Sequence, residues 1–360
     1  MNKILYVHNA DFSKPCANRI QVLNMCKAFK KIRQNISLMS FNCDRRTIKN
    51  LYGYKVNFNL ISLKLIGNYY IRSLLLFLKL LKIKKRYDWI YTRDMIFAFL
   101  ISKFFKGKRV IYELHDASKN RFWYFLFRRT FNNLHCCIVI SNGLKNELIK
   151  RGLMENKMYV FHDGVDLEKF DIYISKREAR NILRLPKDKI IISYVGSTSK
   201  DRDLETFIEV AKKLENKNIL FIVYGKEQDY LIKAQKELKN FLFGYYTNKP
   251  EIVYKASDIL FAGYTKNIVT INYMSPLKLF EYMASKRPVI VADLPRIREI
   301  VDEKEVLFYE SENVDDLILK IKKLIAYKKL QNKLIKNAYG KVKNYAWEKR
   351  AKKIVSIFKS

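Results

Sequence analysis

The stretch at residues 275–299, SPLKLFEYMASKRPVIVADLPRIRE, decides the fold. Ser275 suits a helix N-cap, and Pro276 suits the first helical position. Leu277, Phe280, Met283 and Ala284 recur at helical spacing and supply an apolar face. Lys286, Arg287 and Pro288 end that helix. Val289 to Ala292 is then a short, wholly apolar run of the kind buried in a parallel sheet, and a second helix starts near Pro295. A helix N-terminus beside such a strand offers a phosphate its unpaired amides and its positive dipole end. Glu281 lies about one turn further in, where a carboxylate can reach a sugar hydroxyl. The unit suits a nucleotide-linked ligand.

Outward from this unit, short apolar runs alternate with amphipathic helices. Ile4–Val7, Ile36–Phe41, Trp89–Tyr91, Val110–Glu113 and Cys137–Ile140 read as strands of a first series. Ile190–Val195, Leu220–Tyr224, Ile259–Ala262 and Val289–Ala292 read as strands of a second. Helical periodicity marks Ile20–Ile32, Leu204–Leu214, Asp229–Leu238, Val314–Leu324 and the terminal Trp347–Phe358. This order predicts an α/β fold with two doubly wound parallel sheets. At 360 residues the chain has room for two domains. We expect a first domain over 1–170, a second over 171–343 and a separate terminal helix over 344–360.

The net charge of +35 is unevenly spread. Residues 1–150 carry 29 Lys/Arg against 7 Asp/Glu, and the remainder carries 41 against 28. The basic first half implies an anionic surface as its partner. Two segments there interleave aromatic and basic residues, Tyr69–Arg86 and Arg121–Phe131 (RFWYFLFRRTF). Rings such as Trp123 favour the lipid headgroup level, and Arg128 and Arg129 can snorkel to it. The equal alternative for these segments is a core helix with flanking charges. No recognisable nucleic-acid module accompanies the charge, so a nucleic-acid binder is disfavoured. No stretch reaches the ~20 apolar residues that cross a bilayer, and the N-terminus lacks a signal-peptide pattern. Five scattered cysteines without a CxxC spacing fit reduced, cytoplasmic thiols.

Several residues at strand ends can carry chemistry. Gly196 follows the Ile190–Val195 run, where a glycine lets a ligand approach the backbone. Ser197, Lys200 and Arg202 follow it, and a guanidinium suits an oxyanion. The alternative for Arg202 is a solvated surface charge. Asp201 and Asp203 form a D-x-D, a spacing that can hold a divalent cation; we read it as a charged loop and expect no metal. His115 and Asp116 follow Val110–Glu113. A lone histidine is more often structural, but this one stands where α/β sheets put their sites. The four histidines show no metal-ligand spacing.

Taken together, these motifs resemble the retaining GT-B glycosyltransferases of family GT4. Glu281 matches the second glutamate of that family's E-x7-E. Tyr282-Met283-Ala284, then Pro288 to Ile290, then Asp293, Pro295 and Glu299 match the elements after it. Three positions depart from the family. Its first glutamate falls on Tyr273, the glycine before Pro288 is replaced by Arg287, and the first cation of G-R-x4-[KR] falls on Ser197. Arg202 matches the second cation, and Lys200 could compensate for the first. The resemblance implies two Rossmann-like domains facing across a cleft (the GT-B fold), with a terminal helix crossing back to the first. It further implies a UDP- or GDP-linked nucleotide-sugar donor, a glycan or lipid-linked acceptor, and no cofactor or metal. Catalytic roles fall on His115, Arg202 and Glu281, and donor contacts on Gly196, Ser197, Lys200, Tyr273, Ser275, Leu277 and Lys278. Pro276 has no N–H, so the phosphate contact made there by backbone passes to Leu277 or Lys278. Asn18 can cap the first helix and Arg19 could meet the acceptor. A degenerate, non-catalytic subunit and a GT-B-fold epimerase are the competing readings.

Overall fold

The computed structural model describes residues 2–104, 109–117, 120–215, 217–267 and 273–358. The chain forms two compact units. The first comprises Met1–Asp163, Tyr273–Ser275 and Trp347–Ser360; the second comprises Gly164–Asn272 and Pro276–Ala346.

The first unit is built on seven strands: β1 (Lys3–Asp11), β2 (Asn35–Phe41), β3 (Asn59–Leu63), β4 (Trp89–Thr92), β5 (Arg109–Leu114), β6 (Cys136–Val139) and β7 (Met158–Val160). Their order is β3-β2-β1-β4-β5-β6-β7, and every pairing is parallel. Ile4 to Val7, at the centre of β1, are fully buried, as an unbroken apolar run in a doubly covered sheet should be. The strand order reverses between β1 and β4, so a topological switch point opens at their carboxyl ends.

The second unit repeats the plan with β8 (Ile190–Val195), β9 (Ile219–Tyr224), β10 (Phe241–Gly244), β11 (Ile259–Ala262), β12 (Val289–Ala292) and β13 (Leu307–Tyr309). The order is β10-β9-β8-β11-β12-β13, again all parallel. Its switch point lies between β8 and β11. In the core, Phe207 stacks on Phe261 with ring centroids 4.7 Å apart.

The unit boundaries differ from those expected at 170 and 343. Residues 164–170 belong to the second unit, because Val165 N–H donates to the Tyr345 carbonyl at 3.0 Å and Phe170 stacks on Tyr254. The 343–345 turn stays there too, with Tyr345 packed 4.8 Å from Phe280. The helix Trp347–Ile357 joins the first unit. It buries Trp347, Ala351, Ile354 and Ile357, and Phe358 stacks on Trp89 at 4.1 Å.

Three local expectations are also corrected. The helix Leu277–Ala284 has Pro276 as its N-cap and receives no side-chain cap; Ser275 instead accepts the Asp163 N–H at 2.9 Å within the first unit. The residue that needs glycine-like freedom before Pro288 is Lys286 (φ 59°), not Arg287. Lys286 holds that backbone with an ion pair to Asp171 at 2.8 Å. Asn18 lies inside the helix Ala17–Lys31, which starts from Cys16 without a side-chain cap.

Candidate functional site

In the second unit, Gly196, Arg202, Lys278 and Glu281 come together at the carboxyl end of β8, beside the switch point. Tyr282 anchors the helix Leu277–Ala284 there by accepting the Val195 N–H at 3.0 Å. Gly196 follows at φ 145°, open to few residues besides glycine. A Cβ on Gly196 would stand 2.8 Å from Lys278 Cε, so the lysine stem crosses the bare glycine. The Lys278 ammonium sits 3.5 Å above the Tyr194 ring centroid and 5.7 Å from that of Tyr264. The Arg202 guanidinium lies 5.2 Å over the same Tyr264 ring. Burial, reinforced by the charge of Arg202, holds the ammonium well below the usual lysine range.

Glu281 projects from the same helix and accepts the Tyr254 hydroxyl at 2.8 Å. Burial pushes its carboxyl up, against the pull of Lys169 and the Tyr254 hydrogen bond. Two oxygens with one protein donor leave a carboxylate able to take a ligand hydroxyl. Ser197 and Lys200 are exposed on the turn after Gly196, where the Ser197 hydroxyl meets that of Ser199 at 2.9 Å. The D-x-D carboxylates do not converge. Asp203, at φ 49°, accepts the Tyr309 hydroxyl at 2.5 Å and the Glu312 N–H at 3.0 Å. Asp201 instead accepts the Ser199 hydroxyl. The loop is pinned by structural bonds and suits no shared cation.

Tyr273 and Ser275 belong to the first unit. Tyr273 is buried in the first unit's core, where its carbonyl accepts the Ser141 hydroxyl at 3.1 Å. Burial, with the Asp116 carboxylate beside it, pushes its phenol up to about 12. Tyr273 is thus packed against the first unit's core.

The first unit has its own polar centre at the end of β5. Glu113 is fully enclosed. Its Oε1 accepts Gln21 Nε2 at 2.6 Å and meets His115 Nε2 at 2.5 Å; its Oε2 accepts the Tyr91 hydroxyl and Arg350 at 3.2 Å. Burial alone would raise this carboxyl, but Arg350 and His115 override it and hold it well below the usual carboxylate range. A carboxylate only accepts, so His115 carries its proton on Nε2 and leaves Nδ1 as an acceptor. Burial and then Arg93 lower the His115 pKa, which keeps the ring neutral near pH 7. Glu113, His115 and Asp163 place ligand-type atoms within 4.8 Å of one another. They do not fit a metal, because Glu113 already holds four partners and Arg350 supplies the positive charge.

A cavity of about 450 Å³ opens beside His115, lined among others by Tyr69, Arg93, Trp123, Tyr124 and Arg151. The aromatic walls of this cavity, the Tyr194–Tyr264 platform and the Gln21–Glu113–Arg350 network were not predicted. One signal was legible: Arg350 falls on the apolar face of its helix, three residues after Trp347 and one before Ala351, where a charge needs a buried partner.

Two family models match the chain. The model described as "Glycosyltransferase Family 4" covers residues 20–169, and "Glycosyl transferases group 1" covers residues 175–341. The capsular polysaccharide biosynthesis glycosyltransferase CapM of Staphylococcus aureus is 25% identical over 224 residues, which is 58% of this chain and 56% of that protein. The colanic acid biosynthesis protein WcaI of Escherichia coli is 26% identical over 123 residues, 32% of this chain and 30% of that protein. The chain thus matches about half of one relative's length and a third of the other's. Among solved structures, a glycosyltransferase from Rickettsia africae superimposes with a TM-score of 0.79 at 15% identity, covering 100% of this chain and 98% of that one. Anabaena HepE, solved in complex with UDP and glucose, gives 0.76 at 15% identity with both chains fully covered. These likenesses establish the fold.

Proposed function

We propose that this chain, which belongs to the family 4 glycosyltransferases of GT-B fold, transfers a hexose from a UDP- or GDP-linked donor to a hydroxyl of a glycan or lipid-linked acceptor in cell-surface polysaccharide synthesis. The observation that carries this reading is the meeting of Arg202, Lys278 and Glu281 at the carboxyl end of β8, cations beside a hydroxyl-binding carboxylate. Glu281 binds the ribose of the nucleotide. Arg202 stabilises charge as it builds on the departing diphosphate, a preorganised electrostatic contribution. The diphosphate oxygen freed in that step accepts the proton of the incoming hydroxyl, so the sugar keeps its anomeric configuration without a protein base or a metal. In the first unit, His115 Nδ1 accepts a hydrogen bond from a sugar hydroxyl.

We assign the basic first unit to the anionic inner face of the cell membrane. Ile71, Leu74, Leu78 and Leu81 form a stripe at 3-4-3 spacing on the helix Tyr69–Ile83 and are 39–47% exposed. Lys79, Lys82 and Lys85 are exposed with them. Phe122 and Phe125 are exposed on the helix Arg121–Phe131, whereas Trp123 turns inward onto Tyr69. The membrane contact therefore falls on the phenylalanines and not on Trp123. Among the described residues, no helix is long and apolar enough to cross a membrane.

Nucleotide release from UDP- and GDP-sugars, with and without a lipid extract, tests the reading. Release from one donor, increased by lipid and abolished in Glu281→Ala, is expected. No release and no nucleotide binding would favour the degenerate-subunit reading.

A further inference from the structure

Lys278 presents an electrostatic problem that the protein alone does not solve. Its ammonium nitrogen is buried and has no hydrogen-bond partner among the described residues; Arg202 Nε is likewise without one. The two cations share the Tyr264 face. Aromatic faces offset part of an ammonium's lost hydration, but an unpaired buried charge beside a like charge remains costly. Arg202 has an ion pair with Asp201, at a loose 3.6 Å. Lys278 has no ion pair among the described residues. Two adjacent cations, one of them unpaired and enclosed, form a site prepared for a multivalent anion.

No cation directly follows the strand-end Gly196. Ser197 stands directly after the strand-end glycine, exposed and turned to Ser199, and Lys200 is exposed in the next turn. Lys278 arrives from the opposite direction, off the first turn of the helix Leu277–Ala284, across the bare Gly196. We propose that the Lys278 ammonium is the relocated partner of Arg202, and that the two grip the diphosphate of a nucleoside diphosphate in place of a cation at position 197. The glycine at 196 is then required to let the lysine stem through. This inference rests on the donor reading given above.

Burial and the Arg202 charge lower the Lys278 pKa against the pull of Glu281 and Asp201, and a bound diphosphate would favour the charged ammonium. Two signatures follow that a packing role would not produce. Binding takes up a proton, and binding weakens as pH rises through the alkaline range.

The test is calorimetric titration of the full chain with UDP, GDP and the corresponding nucleosides, in two buffers of different ionisation enthalpy. The wild type should show proton uptake with its preferred diphosphate. Lys278→Met should lose about 20-fold or more in diphosphate affinity, lose the proton uptake, and change nucleoside affinity less than about 3-fold. Adding Ser197→Arg to Lys278→Met should restore most of the diphosphate affinity. Unchanged diphosphate binding by Lys278→Met overturns the proposal while leaving the donor reading intact. Should that variant fail to fold, Lys278→Gln takes its place, and unchanged diphosphate binding by it overturns the proposal. If the wild type binds neither diphosphate, the donor reading and this inference fall together.

Discussion

Arg350, on the last helix, donates to Glu113 at 3.2 Å across 237 residues of sequence. Both side chains are sealed from solvent, and the guanidinium also donates to the His162 carbonyl at 2.9 Å and the Phe161 carbonyl at 3.3 Å. One ion pair thus closes the first unit's core and orients His115.

Arg350→Met should destabilise the first unit by about 3–5 kcal/mol, the usual cost of stranding a buried partner charge. Glu113 also confers acid sensitivity. Its folded-state pKa lies well below the unfolded value, so its contribution is present above the ordinary carboxylate range and is lost as pH falls toward the depressed value. Denaturant melts at pH 7 and below pH 4 measure both effects. A wild-type stability for Arg350→Met would refute the structural role.

Arg202→Ala should lower kcat on the order of 100-fold, with a smaller change in nucleotide affinity, because its charge matters most when the leaving group is most negative. Glu281→Ala should do the reverse and raise the dissociation constant for the nucleotide. Steady-state kinetics with the preferred donor separate the two. Full activity in both variants would move the site elsewhere.

Gly196→Ala places a methyl group 2.8 Å from Lys278 Cε at a backbone φ of 145°. Diphosphate binding should weaken at least as much as in Lys278→Met, and the melting temperature should fall slightly. Retained affinity would show that the lysine stem does not need this passage.

Replacing Ile71, Leu74, Leu78 and Leu81 with serine should leave the fold intact and abolish sedimentation with phosphatidylglycerol vesicles at low salt. Wild-type binding should decline in salt as its lysine component is screened. Equal sedimentation of the two proteins would exclude this face as the docking surface.

The fold was legible where strands are buried on both faces. Ile4–Val7 and Val289–Ala292 are unbroken apolar runs, and both are interior strands. The strands that escaped notice, β3, β7, β10 and β13, are the edges of the two sheets. With one neighbour each, they need less apolar surface, and β3 is only half-buried. At the candidate site, Arg202 and Glu281 stand out in the sequence because local spacing singles them out. The aromatic platform was not, since Tyr194 and Tyr264 meet Lys278 only through the order of β8 and β11. Spacing also does not reveal that Tyr273 and Ser275, which adjoin the helix Leu277–Ala284 in sequence, belong to the first unit.

That tripeptide has an evolutionary consequence. Residues 273–275 and 347–358 complete the first unit from within and beyond the stretch that encodes the second. A recombination that exchanged the C-terminal half for a relative's would import a foreign Tyr273 hydroxyl for Asp116, a foreign Ser275 for Asp163 and a foreign Arg350 for Glu113. The two halves of this chain are therefore not independent modules.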